Sequence, residues 1–287
     1  MATILFDGIA YGMLLFVLAV GLAVTMGLMN FINLAHGAFA MAGGYITVLL
    51  MQRLDVPFLV CLPLSFAGAA LLGAVMERTL YRPLYRKAHL DQVLFSIGLV
   101  FMAVSAVDYY VGSTQQIMQL PEWLKGRTEI SSLGMGHYRL FIIAVCAALT
   151  VALQLILTRT RFGSRLRAAV DDQRVAAGLG INVNVVFLST FAFGSGLAGL
   201  GGALGAEVLG MDPTFPLKFM IYFLIVVAVG GTASITGPLL AALLLGIADV
   251  AGKYYIPKLG GFIVYTLMIV ILLWKPSGLF VRQGGKA

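Results

Sequence analysis

FIIAVCAALTVALQLILTRTRFGSRLRAAVDDQRVAAGLGIN, from Phe141 to Asn182, changes character part-way along. Phe141 to Thr158 is eighteen residues without a charged side chain. At about 1.5 Å of rise per residue, such a run crosses most of a hydrocarbon layer about 30 Å thick as a helix. Arg159 to Asn182 then carries five arginines and two aspartates. An uncharged run that stops at a cluster of arginines is the pattern of a membrane-spanning helix arriving at the cytoplasmic surface.

The pattern repeats outward in both directions. Apolar segments recur at about 6–29, 33–52, 57–76, 93–111, 138–158, 186–207, 219–232, 236–251 and 260–274. Only 11% of the 287 residues are charged, against about 25% in a typical soluble domain. The expected fold is an all-α polytopic bundle of eight or nine spans, some short or broken, forming a single transmembrane domain over 1–287. No polar stretch is long enough for a soluble catalytic module. The first apolar segment lacks a basic leader and reads as a retained span. Cys61 and Cys146 lie in apolar runs and read as filler. The net charge of +7 marks cytoplasmic loops and not nucleic acid.

Loop charge orients the chain. Loop 77–91 has four Lys or Arg against two acids, and 159–178 has five against two. Loop 112–137 balances Lys125 and Arg127 with Glu122 and Glu129. These biases put 77–91, 159–185 and the C-terminus in the cytoplasm, and 112–137 and 208–218 outside. With Trp123 inside it, loop 112–137 is either a short external amphipathic helix or a plain interfacial loop with an aromatic anchor.

Glycines cluster in three places: Met41 to Tyr45, Gly194 to Gly205 and Gly230 to Pro238. Small residues at 194, 198 and 202 allow helix backbones to approach closely. GGTASITGP between two short apolar segments is either a discontinuous helix at membrane depth or a tight turn. Candidate pathway residues, by polarity inside apolar runs, are Asn30, Asn33, His36, Ser195 and Ser234. His36 reads equally as a satisfied structural histidine, and Asp249 as the partner of Lys253. No metal-ligand cluster, paired-carboxylate site or row of membrane acids is present, so neither an enzyme nor a self-powered pump is expected. A self-contained secondary transporter would need a coupling-ion site, for which His36 and Asp249 are the available groups.

Residues 164–177 are good helix formers, and Gly178 and Gly180 stop them. The segment is predicted to be one cytoplasmic helix with small residues on one face. It either docks into another protein or rests on anionic lipid through its arginines.

Five stretches resemble one family. GLAVTMGLMNFINLAHGAFAMAGGY (Gly21 to Tyr45), ERTLYRPLYR (Glu77 to Arg86) with SIGL (Ser96 to Leu99), and TRFGSRLRAAVDDQRVAAGLGINV (Thr160 to Val183) running into FAFGSGLAGLGG are similar to the permease subunits of bacterial ABC importers for branched-chain amino acids. GGTASITGPLLAALLLG (Gly230 to Gly246) and KPSGLF (Lys275 to Phe280) complete the match, which is to the first of that system's two permeases. The resemblance implies a multi-pass protein of the bacterial inner membrane that binds no cofactor itself. It implies a second homologous permease, two ATPase subunits holding ATP and magnesium, and a periplasmic binding protein. It also implies a coupling helix within 159–185, from about Arg167 to Gly178. Ala168, Ala169 and Ala176 would let that helix approach an ATPase, while Asp171, Asp172 and Arg174 pair with it. One departure stands out: Ala38 follows His36 and Gly37 where many relatives carry an acid. That leaves urea, amides and aromatic acids open as substrates beside neutral or hydrophobic amino acids.

Overall fold

A computed structural model describes residues 1–29, 31, 33–130, 133–231, 234–275 and 278–279. In chain order the helices are α1 (Ala2–Met29), α2 (His36–Leu54), α3 (Phe58–Met76), α4 (His89–Val111), α5 (His137–Arg159), α6 (Arg161–Asp171), α7 (Gln173–Gly178), α8 (Val183–Leu209), α9 (Phe215–Gly230), α10 (Thr236–Tyr255) and α11 (Gly260–Trp274). Each of the nine apolar segments is helical. Among the described residues six helices are long and apolar enough to cross a membrane: α1, α3 with its extension to Tyr85, α4, α5, α8 and α10. Helix α2 has 19 residues, and α9 and α11 have 16 and 15. The last two are about 24 and 22 Å long, short of the hydrocarbon thickness. The chain is a polytopic helical bundle.

Helix α1 is its axis. Leu14, Leu15, Phe16, Val17, Leu18, Ala19 and Val20 are all 0% exposed, so every side of the helix is covered. A helix apolar all round belongs inside protein or lipid, and here protein supplies the cover. Helices α10, α8, α5 and α9 pack around α1, while α2 and α3 pack on α8. Two seams need glycine. Gly43 of α2 lies against the backbone of Gly199 in α8, and Gly12 of α1 against Gly246 in α10. A methyl group at Gly43, Gly12 or Gly246 would enter the facing backbone, and one at Gly199 would meet the Ala69 side chain of α3.

The two ends of the bundle differ. At one, Asp7 of α1 is ion-paired with Arg139 of α5. Gln52 Nε2 donates to the Ile117 carbonyl (3.1 Å), and the Gln116 N–H to the Met211 carbonyl (2.8 Å). This end carries a single 3₁₀ turn, Glu122–Leu124, and an antiparallel hairpin of β1 (Arg127–Ile130) and β2 (Leu133–Gly136), with Arg127 opposite Gly136. The hairpin stands where the sequence left an amphipathic helix open. Gly126 has a φ of +154°, and strand-forming Thr128 follows, so the helix stops after one turn. The other end gathers α6, α7, the 81–86 turn, Ser234 and Ile235. There the Leu279 N–H donates to the Val229 carbonyl (2.8 Å), returning the C-terminal segment to the end of α9.

Helix α3 does not stop at the basic loop. It continues through a π-helical turn, Glu77–Tyr81, and a 3₁₀ turn, Arg82–Arg86. The extra residue of a π turn rotates the side chains that follow it. Tyr81 is thereby fully buried inside what reads in sequence as a charged loop.

Candidate coupling element and inner helix face

Thr160 opens α6 by accepting the Gly163 N–H (3.3 Å). The helix then breaks at Asp172, whose backbone is extended (φ −153°, ψ 110°). The Asp172 carboxylate accepts the N–H groups of Arg174 (2.8 Å) and Val175 (3.0 Å) and so caps α7. The single helix expected over 164–177 is therefore two. The physical reason is local: an aspartate satisfies the free N–H groups of a helix start better than it serves in a helix interior. Asp172 is engaged as a cap, while Asp171 is exposed at the end of α6.

The faces of this element also differ from expectation. Leu166, Ala169 and Ala176 are buried together with Val186 of α8. Ala169 and Ala176 thus bring α6 and α7 close to α8 of the same chain, and are not turned outward. Ala168 is half-buried beside them. Arg167 is exposed, and its guanidinium donates to the Leu157 carbonyl at the end of α5. The outward surface consists of Arg165, Asp171, Arg174, Ala177 and Gly178, with Val175 58% and Leu179 76% exposed. Val175 and Leu179 were missed in the sequence. Their signal was two apolar residues one helical turn apart within a polar loop. On the inward side, α6 faces the C-terminal half of α1 across a cavity of about 260 Å³ lined by Val20, Ala23, Leu157, Leu166 and Ile235.

The candidate pathway residues do not form one cluster. Asn33 is buried; its Oδ1 accepts the Tyr81 hydroxyl (3.0 Å) and the Ala35 N–H (3.1 Å). Tyr81 in turn packs edge-on against Phe31 and Phe95. His36 is buried with its Nε2 2.9 Å from the Leu18 carbonyl, so a neutral ring donates there and ties the start of α2 to the middle of α1. Ser195 is buried in α8 where α3 brings Gly73 against it. Ser234 is exposed before α10, accepting the Gly237 N–H (3.3 Å) and lining the cavity beside α6. Asn30 lies outside the described residues. Asn33 and His36 share one turn, Ser195 follows Gly194, which with His36 closes on Gly21 of α1, and Ser234 lies at the α6 end of the bundle. Asp249 does pair with Lys253, Nζ to Oδ2 2.6 Å.

Between α8 and α9, Asp212 holds a tight turn. It accepts the Thr214 N–H (2.8 Å) and hydroxyl (2.5 Å), and the Lys218 ammonium (2.5 Å). Burial pushes the carboxyl up, but the bonds from Lys218 and Thr214 outweigh it and hold Asp212 below the usual carboxylate range.

Compared with known families, residues 4–272 match the one described as branched-chain amino acid transport system / permease component. The chain belongs to that family. The permease is 29% identical to the high-affinity branched-chain amino acid transport system permease protein BraD of Pseudomonas aeruginosa, covering 97% of this chain and 95% of the relative. It is 27% identical to permease protein LivH of Escherichia coli strain K12, over 97% and 94%. A more distant likeness, 26% identity over 93% of this chain and 68% of the relative, is to permease protein LivM of the same strain. No solved structure matches. By family the permease is a transport component, and among the described residues no three His, Cys, Asp or Glu side chains group to hold a metal ion.

Proposed function

We propose that this permease is one of two related membrane subunits of an ATP-driven importer, and that branched-chain amino acids released by a binding protein outside cross between them. The similarity to both LivH and LivM supports a paired arrangement. ATP and magnesium belong to two ATPase subunits docked on α6 and α7. The nine helices α1 to α5 and α8 to α11 all cross the inner membrane, with the N-terminus outside and the C-terminus in the cytoplasm. The grouping of Asp7 and Arg139 with the 112–136 loop supports this orientation, as does that of α6 with the C-terminal half of α1. The short α9 and α11 cross with their flanking residues, or where the bilayer thins.

One observation carries the coupling role. The α6–α7 element has an apolar knob, Val175 and Leu179, that nothing in the described chain covers, and an inner face packed on α8. A partner that moves the knob moves α8, and with it the glycine seams to α2 and α3. Coupling requires such an element, with two arrangements biased from a second site. Asn33, His36, Ser195 and Ser234 are proposed to bear on the path, with His36 acting through its tie to α1. The test is co-purification of the four-component importer. Val175→Asp with Leu179→Asp should release the ATPases while the permease pair stays together. Retention of the ATPases by that variant, with uptake intact, would move the docking surface elsewhere.

A further inference from the structure

At the end of the bundle away from α6, five helices enclose a cavity of about 530 Å³. Three apolar helices each turn two polar side chains toward it, one helical turn apart: Asp7 and Tyr11 on α1, Lys218 and Tyr222 on α9, Asp249 and Lys253 on α10. Arg139 of α5 completes the rim. Two acids and three cations line it, and since Lys218 is already held by Asp212, the remaining charges balance. Further along α1 and α5 the wall becomes apolar at Leu14 and Ile142. From Asp7 to Leu14 is seven residues of helix, a depth of about 10 Å.

Charges inside an otherwise apolar bundle are costly and are usually tied to a polar ligand or path. Here they are arranged asymmetrically. The Asp249 carboxylate is almost fully covered (2% exposed), bonded to Lys253 and approached by the Tyr222 hydroxyl at 3.5 Å. Its partner Lys253 is 55% exposed and lies over the Tyr11 ring, 5.7 Å from its centre. Asp7 is 21% exposed and its partner Arg139 is 44% exposed. Each pair covers its acid more than its cation. A rim of open cations beside better-covered carboxylates and tyrosine faces fits a ligand bearing both charges on one end. The floor fits a small hydrocarbon group on the other.

We propose that this cavity is a binding site for a zwitterionic α-amino acid with an aliphatic side chain, on this subunit alone. The ligand carboxylate meets Arg139 and Lys253, its ammonium meets Asp7 and Asp249, and its side chain points toward Leu14 and Ile142. The assignment rests on the transport reading above, and it adds a place where the substrate waits after leaving the binding protein.

The test uses the assembled importer in nanodiscs without its binding protein, with radiolabelled leucine as probe. Saturable binding is expected. Competition by 3-methylbutylamine, which lacks the carboxylate, and by 4-methylpentanoate, which lacks the amine, should fail, since each leaves one half of the rim unpaired. Arg139→Gln and Asp249→Asn should each weaken binding on the order of 10- to 100-fold, the scale of one charge-assisted hydrogen bond. Arg139→Lys keeps the charge and should retain most of the affinity, which separates recognition from misfolding. Competition by either analogue as strong as by leucine overturns the zwitterion site, and so does unchanged affinity in both charge-removing variants. An importer that takes up leucine with its binding protein yet shows no saturable binding here also overturns the site and leaves the transport function standing. Absence of any leucine uptake by the complete wild-type importer overturns both.

Discussion

Replacing Gly12 by alanine tests the packing of the axial helix directly. A Cβ at this position would lie 2.8 Å from both the Ala242 carbonyl oxygen and the Leu243 Cα of α10. Carbon atoms rest at about 3.5–4.0 Å from one another, so the overlap with Leu243 is about 1 Å. Both obstacles are backbone, and no rotamer change relieves them. The helices must part by most of that overlap, and a gap of 0.5–1 Å forfeits roughly a quarter to a half of each dispersion contact along the seam. Overpacking of this kind costs about 1–3 kcal/mol. Alanine's better helix propensity returns at most about 1 kcal/mol. The net is a destabilisation of about 1–2 kcal/mol, centred on α1 and α10. Gly98→Ala is the matched control, because Gly98 is exposed on α4 and a Cβ there meets nothing within 4 Å. Only the propensity gain applies, and the variant should match or exceed the wild type. The assay is thermal unfolding of the purified importer in mild detergent, followed by uptake in proteoliposomes. Gly12→Ala should melt earlier and Gly98→Ala should not. Equal melting of the two variants would refute the claim that backbone contact at the α1–α10 seam governs stability.

Three further outcomes follow from side-chain chemistry. Tyr81→Phe removes the hydroxyl bond to Asn33, which keeps its bond from the Ala35 N–H; the cost should be about 0.5–1.5 kcal/mol, read as a lower melting point, and a loss above about 3 kcal/mol would mean the turn depends on more than this bond. Asp172→Ala should cost about 0.5–2 kcal/mol locally by uncapping α7. Amide exchange should quicken over residues 174–178, remain unchanged in the middle of α8, and be restored by Asp172→Asn, an equally good cap. For Asp212 the folded-state carboxyl lies below its unfolded range, so its contribution is complete above that range and is lost as pH falls through the folded value. Wild-type permease should lose this increment as pH falls through and below the ordinary aspartate range, while Asp212→Asn shows no such step; identical acid transitions would contradict the role given to the turn.

Helix identity and loop charge were legible because length and hydropathy act within one segment. Each apolar run became a helix, and the basic stretch from Arg159 became the element expected to face the cytoplasm. What the residues could not disclose was which side of each helix meets protein. Leu14 to Val20 are as apolar as the residues of α4 that face outward, and nothing in their order marks α1 as the axis. In lipid there is no polar face to betray the buried one. The basic loop at 77–86 misleads for a related reason: its arginines signal water, while the π turn carries Tyr81 back into the core. Competition between neighbours decided the rest. Two adjacent aspartates inside a helix-forming run left the break invisible until Asp172 was seen to cap α7. Ala169 and Ala176 were expected to bring the helix against an ATPase, whereas within this chain they pack on α8. Of the polar residues, Asn33 and His36 stand on a single turn, the His36 N–H donating to the Asn33 carbonyl (3.3 Å).

The covered position of α1 has a consequence for how the protein is made. Helix α1 is made well before α10, and Gly12 docks on Gly246, 234 residues later in the chain. At about 5–20 residues per second the first helix waits roughly 10–50 s for its main partner. During that time lipid must stand in for α10 and α8. A segment with one charged side chain, Asp7, close to its start can wait there without harm. The axial helix is thus made long before the partner that covers it, and an insertion fault in α10 leaves that side of α1 open.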